Sequence, residues 1–226
     1  MYIVTRVHPN VIATKNGPAV TMCGARGPQP IHLRQGEMDG ACGPYCVLMA
    51  LMALRAVRRG WVTNSPATAP RAVKATLRLT SRWYFCGTNV RDLAQLVQPL
   101  HRSVTASISK ASHAALVPFI LDNLAEERLV VVGINNGAHR LKHWTLVVGV
   151  AGVQKRDNFN PQHFLLLDPS ADPISLLQWN STLAVTAARP RSRARLWRER
   201  NGKSTPVTLQ HALAIGRRNG RSKDHG

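Results

Sequence analysis

The sequence predicts an α+β protein, with helices in its first half and an antiparallel sheet in its second. Two observations carry this reading. From Gln35 to Leu124 apolar residues recur at helical spacing in several segments, whereas from Leu129 to Leu167 three β-rich runs stand apart. The connections supply a third: Asn135-Asn136-Gly137 and Asp157-Asn158-Phe159-Asn160-Pro161 read as a turn and a loop between runs that form a meander.

Residues 1–34 read as an N-terminal arm of short extended pieces. Tyr2-Ile3-Val4 and Val11-Ile12-Ala13 are bounded by Pro9, Asn10 and Asn16-Gly17-Pro18. The stretch QGEMDGACGPYCVLMALMALRAVRR, from Gln35 to Arg59, then passes from a polar, Gly-rich segment into an apolar helix. Pro44 suits a first helical turn because the amide hydrogen it lacks has no intrahelical partner there. Val47, Leu48, Leu51, Met52 and Leu54 make the helix mostly buried, and Arg58, Arg59 and Gly60 read as its end. WVTNSPATAP, residues 61–70, is a connection. Helices follow over Ala72–Leu79, over Val90–Leu100 with Thr88 or Asn89 as cap, and from a Ser112 cap through Arg128 with a kink at Pro118. Ser103–Ser109 alternates as a strand between the last two. The sheet consists of Leu129–Ile134, Trp144–Val150 and Phe164–Leu167.

At 226 residues and 44% apolar content the chain can bury a substantial core. No run approaches the ~18 uninterrupted apolar residues of a membrane-crossing helix. Arg6, His8 and Lys15 spread through the first twenty residues break the order of a signal peptide, which points to the cytoplasm or to signal-independent secretion. Four cysteines (Cys23, Cys42, Cys46, Cys86) without framework spacing suit free thiols in a reducing compartment. Cys42/Cys46 and His139/His143 are each four apart, but no paired CxxC accompanies them, so neither metal nor cofactor is expected. Thirty Lys and Arg face eleven Asp and Glu, and eleven of those cations lie beyond residue 188. Residues 189–226 therefore read as a basic, partly flexible extension that could meet an acidic partner, nucleic acid or an anionic membrane, and whose loss would leave thiol reactivity intact. Trp197 alone among aromatics there gives no base-stacking platform.

The chemistry centres on Cys42. It stands at the start of the buried helix, where free amides and the backbone dipole favour a thiolate, and Gly40, Gly43 and Pro44 leave it approachable. Cys46, one turn on among Val47 and Met49, reads as packing. His143 opens the run HWTLVVGV, and Asp168 ends FLLLDP. In an antiparallel meander the start of one strand and the end of the next share an edge, so these two can face each other. An acid that holds one imidazole nitrogen leaves the other to take the thiol proton. Asp172-Pro173 repeats the Asp-Pro pair, so either Asp168 or Asp172 could serve.

GACGPYCVLMALMAL, LKHWTLVVGV and FLLLDPS together resemble the papain-like cysteine peptidase superfamily, most of all its C39-like branch of bacteriocin-leader peptidases. The resemblance covers residues 35–170 and implies a papain-like domain over 35–188, with the nucleophile at a helix N-terminus packed on the sheet that carries His and Asp. Carried over by position, Cys42 would be nucleophile, His143 base and acid, and Asp168 orienter. Gln35, seven residues before Cys42 where the family usually has six, would donate to the oxyanion beside the Cys42 amide. The resemblance implies a hydrolase acting on a protein or peptide, as an effector, toxin or processing enzyme. The same triad could deamidate or transfer acyl groups. Two other classes remain at this level: a non-catalytic polyanion binder using the basic tail, and a degenerate peptidase fold serving as scaffold.

Overall fold

The computed structural model describes residues 1–22, 27–36, 39–111, 113–136, 141–185, 196–200 and 202–218. Helix α1 spans Cys42–Ala53, and eleven of its twelve residues are buried, so it is a central helix rather than an amphipathic surface one. It ends earlier than its apolar pattern suggests. Arg55 adopts a left-handed φ of 58°, its amide donates to Met52 O at 2.9 Å, and the Ala56 amide donates to Leu51 O at 2.9 Å. This is a Schellman closure, and Arg58-Arg59-Gly60, expected to end α1, instead begins the short helix α2, Arg59–Thr63.

Helix α3 (Arg71–Arg82) and helix α4 (Val90–Val97) follow, the latter opened by a capping box between Asn89 and Asp92 and continued by a 3-10 turn, Gln98–Leu100. Helix α5 runs from His113 to Ala125 with Pro118 inside it. Its expected cap, Ser112, lies outside the described residues, as do Gly137, His139 and Cys23.

The strands are β1 (Tyr2–Val7), β2 (Ile12–Thr14), β3 (Gly17–Val20), β4 (Gln29–Pro30), β5 (Val104–Ser109), β6 (Leu129–Asn136), β7 (Leu141–Lys155), β8 (Asn158–Leu167), β9 (Ser181–Ala184), β10 (Leu196–Arg200) and β11 (Lys203–Arg217). β2, β3 and β4 form a small sheet of their own. In the large sheet every pairing is antiparallel, and the pairings run in a circuit from β7 through β6, β11, β10, β9 and β8 back to β7. β1 and β5 add to β7 and β11.

One face of this ring packs on α1 and α4 through Leu129, Val131, Trp144, Leu146, Val148, Leu165, Leu167, Leu213 and Ile215. The other gathers Val130, Val132, Val147, Phe164, Leu166, Leu183, Val207 and Leu209 with Leu116 and Ile120 of α5. Alternation along β6, β7 and β8 produces both sets, as the period of two requires.

Two sequence expectations are corrected here. Asn158–Pro161 is not a loop: β8 begins at Asn158, and Lys155 pairs with Asn158 across the two residues Arg156 and Asp157. Arg156 takes a φ of 53°, which lets so short a connection close without a glycine. The boundary at 189 also falls in the wrong place. β10 and β11 are strands of the ring, and Ala212, Leu213, Ala214 and Ile215 are fully buried. The surrounding Arg and Lys dominate the composition of that segment and hide the apolar run VTLQHALAIG. The arm is similarly built in: β1 pairs with β7, and Val11, Val20 and Ile31 join the core.

Candidate active site

Cys42 is the first residue of α1, buried, with Ala41 at the N-cap. The turn before it is organised by Asp39, whose carboxylate accepts from the Gly36 amide at 2.7 Å and the Ala41 amide at 3.1 Å. Gly43 is the point of closest approach. A Cβ there would lie 2.3 Å from Thr88 Oγ1, 2.8 Å from Leu93 Cδ2 and 3.0 Å from Trp144 Cδ1. Trp144 is held in turn by an indole hydrogen bond to Thr88 O at 3.1 Å. Gly43→Ala is expected to destabilise the protein by about 2 kcal/mol through overpacking, measured by urea unfolding.

His143 is in β7, one residue before Trp144, and its Nε2 lies 2.8 Å from Asp168 Oδ1. Asp168 is fully buried just past β8. Since Leu146 pairs with Leu167, the two side chains leave the same rim of the sheet. The His143 side chain also hydrogen-bonds that of Cys42. Burial pushes that thiol up. The hydrogen bond and charge of His143, with the backbone amides of Trp144 and Gly43, pull it down further, and the net shift is below the ordinary cysteine value. Cys46 behaves oppositely: burial pushes its thiol well up, and its Sγ lies 3.4 Å from Trp144 O as a donor.

Asp168 is fixed from several sides. Its Oδ1 also accepts from the Ser170 amide at 2.9 Å and Ser170 Oγ at 2.7 Å. Its own amide donates to Asn180 Oδ1 at 2.7 Å, and Asn180 Nδ2 donates to its carbonyl at 2.9 Å. His32 Nε2 meets the same carbonyl at 3.1 Å. Arg198, from β10, forms an ion pair with Oδ2. Asp172 is elsewhere: it pairs with Arg34 at the surface. Gln35 lies beside the turn after Asp168: its amide donates to Pro169 O at 2.7 Å, and its side chain donates to the Asp39 carbonyl.

Burial, with the Arg59 charge second, lowers the His32 pKa from its ordinary value to about 4. The unfolded chain therefore binds more protons between pH 6.5 and 4, so this contribution is intact above pH 6.5 and is lost as pH falls toward 4. Acidification across that window is expected to remove about 3 kcal/mol, and His32→Gln to flatten the dependence, read by urea unfolding at several pH values.

The sequence brings Cys42, His143, Asp168 and Gln35 into view. It does not reveal Asn180, His32 or Arg198, which lie in segments without a local motif. Ser170 and Asp39 could have been suspected from their places beside the Asp-Pro turn and before the helix.

No known family's sequence model matches the chain, and no curated protein matches it. Among solved structures the chain is similar to UfSP from C. elegans, at 12% identity and a TM-score of 0.41. That similarity covers 96% of this chain and 38% of that one, so the chain spans well under half the length of the protein it matches.

Proposed function

We propose that the chain is a thiol-dependent hydrolase, a papain-like cysteine peptidase that cleaves a peptide or isopeptide bond through Cys42, His143 and Asp168. The observation that supports this most is that one imidazole serves both groups: His143 hydrogen-bonds the Cys42 side chain, and its Nε2 lies 2.8 Å from Asp168 Oδ1. The motifs resembling the C39-like branch point the same way.

In the reaction the Cys42 thiolate attacks the carbonyl carbon while His143 holds the proton. The oxyanion of the tetrahedral intermediate is met by the Cys42 amide, which at the first helical position has no intrahelical acceptor, and by the Gln35 side chain. Collapse expels the amine, which takes its proton from His143. Water then attacks the thioester, gives a proton back to the imidazole, and releases the acid and the thiol. Asp168 holds the ring in one tautomer and balances its charge when protonated.

Residue-resolved iodoacetamide labelling tests the site. Alkylation of Cys42 is expected to have its midpoint below the ordinary ~8.5 of a free thiol, and His143→Ala to return it there. A midpoint already at the free-thiol value and unmoved by the substitution would indicate a scaffold. Incubation with a peptide library, read by mass spectrometry, then assigns the reaction. New chain termini that vanish with Cys42→Ala support a peptidase, whereas side-chain amides converted to acids without cleavage mark a deamidase.

A further inference from the structure

The face of the strand ring that meets α5 is apolar: Val130, Val132, Val147, Leu166, Leu183 and Leu209 lie on it. β10 sends a cation toward this face. Arg198 stands opposite Leu183 of β9, so the two side chains share a side of the sheet, and the Arg198 side chain is only 14% exposed. A guanidinium so placed needs an anion, and it meets Oδ2 of the fully buried Asp168. The two carboxylate oxygens are thereby divided. Oδ1 serves His143 and Ser170, and Oδ2 serves Arg198.

We propose that Arg198 is a positioning residue: it keeps the buried Asp168 carboxylate ionised and turned so that Oδ1 holds the His143 ring against Cys42. The inference rests on the catalytic reading above. A buried carboxylate deprived of countercharge takes up a proton, and a neutral acid no longer balances an imidazolium.

The other groups around Asp168 do not replace this charge. His32, before α1, is neutral near pH 7 because its pKa is about 4. Arg59 of α2 is turned to backbone, donating to His32 O at 2.8 Å and Pro30 O at 3.2 Å. Arg34 and Asp172 pair with each other at the surface. On α1, burial pushes the Cys46 thiol up, and Cys42 carries no positive charge in either protonation state. Among the described residues, Arg198 and His143 are the cationic groups in ion-pair contact with Asp168. The Arg198 charge also reaches Cys46, where it opposes the upward push of burial.

The test uses the full chain with Arg198→Met, Arg198→Lys and His143→Ala. It follows Cys42 alkylation by iodoacetamide from pH 5 to 9, peptide cleavage and thermal unfolding. Arg198→Met is expected to raise the alkylation midpoint by about one pH unit, a tenfold change in thiolate at fixed pH. It should also lower kcat while KM holds, and Arg198→Lys should recover most of the midpoint but less of kcat, because an ammonium lacks the planar fork. A purely structural Arg198 would lower the unfolding temperature in both variants without moving the midpoint. A folded Arg198→Met whose profile coincides with the native one, while His143→Ala shifts it, overturns the proposal. An unmoved profile in His143→Ala instead sinks the Cys–His reading beneath it. If Arg198→Met does not fold, Arg198→Gln and Arg198→Lys decide: a midpoint retained by Lys and lost by Gln supports the proposal, and equal midpoints overturn it.

Discussion

Removal of residues 189–226 is expected to abolish cooperative folding. β11 pairs with β6, β5 and β10, and β10 with β9, so the loss of both strands opens the ring and leaves β5, β6 and β9 without those partners. Val207, Leu209, Leu213 and Ile215 are at most 3% exposed. Burying each such side chain contributes about 1.5–3 kcal/mol, so these four alone approach the roughly 5–15 kcal/mol that holds a whole domain together. The freed edges of β6 and β9 would also template association. Circular dichroism on heating and size-exclusion chromatography of the 1–188 fragment check this. A sharp transition within a few degrees of the full chain would refute it, and would restore the view of this segment as an appendage.

Replacing Asp168 with Asn is expected to lower kcat/KM by about three to four orders of magnitude, the loss found when a triad acid becomes a neutral amide able to hold the wrong tautomer. The substitution also leaves the Arg198 guanidinium buried without its anion, a change that costs about 3–5 kcal/mol. Activity and stability should therefore fall together. Asp172→Asn breaks only the surface pair with Arg34, in which both side chains are more than half exposed, and is expected to shift stability by less than about 1 kcal/mol. Kinetics and urea unfolding of the two variants side by side check both statements. Comparable losses in the two would mean that the orienting acid has been misassigned.

Legibility in the sequence followed the range of the interactions. α4 is signalled by an Asn89 cap and an Asp92 three residues on, contacts made within a single turn. Cys42 announces itself by a Cys-Gly-Pro helix start, and His143 and Asp168 by strand ends that an antiparallel hairpin brings together. Arg198 has no such signal. Its meaning depends on a partner thirty residues earlier, reached only because β9 and β10 fold back across β8, and in the sequence it is one arginine among many. The end of α1 was hidden for a different reason. Arg55 is a poor residue for a left-handed turn, and the burial of Ala56 and Val57 against the core fixes the chain there despite it.

The ring is stitched from partners distant along the chain. Tyr2 lies across from Gln154, and Val104 from Arg217. The β6–β7, β7–β8 and β10–β11 hairpins can form locally, while the seams of β1 with β7 and of β11 with β5 and β6 must wait for large loops to close against their entropy. Such a topology assembles slowly, and its hydrophobic seams stay open to misassociation throughout that delay. Refolding after denaturation is therefore expected to be slow and to improve on dilution, because the state in which cysteine, imidazole and acid meet is reached only once those seams have closed.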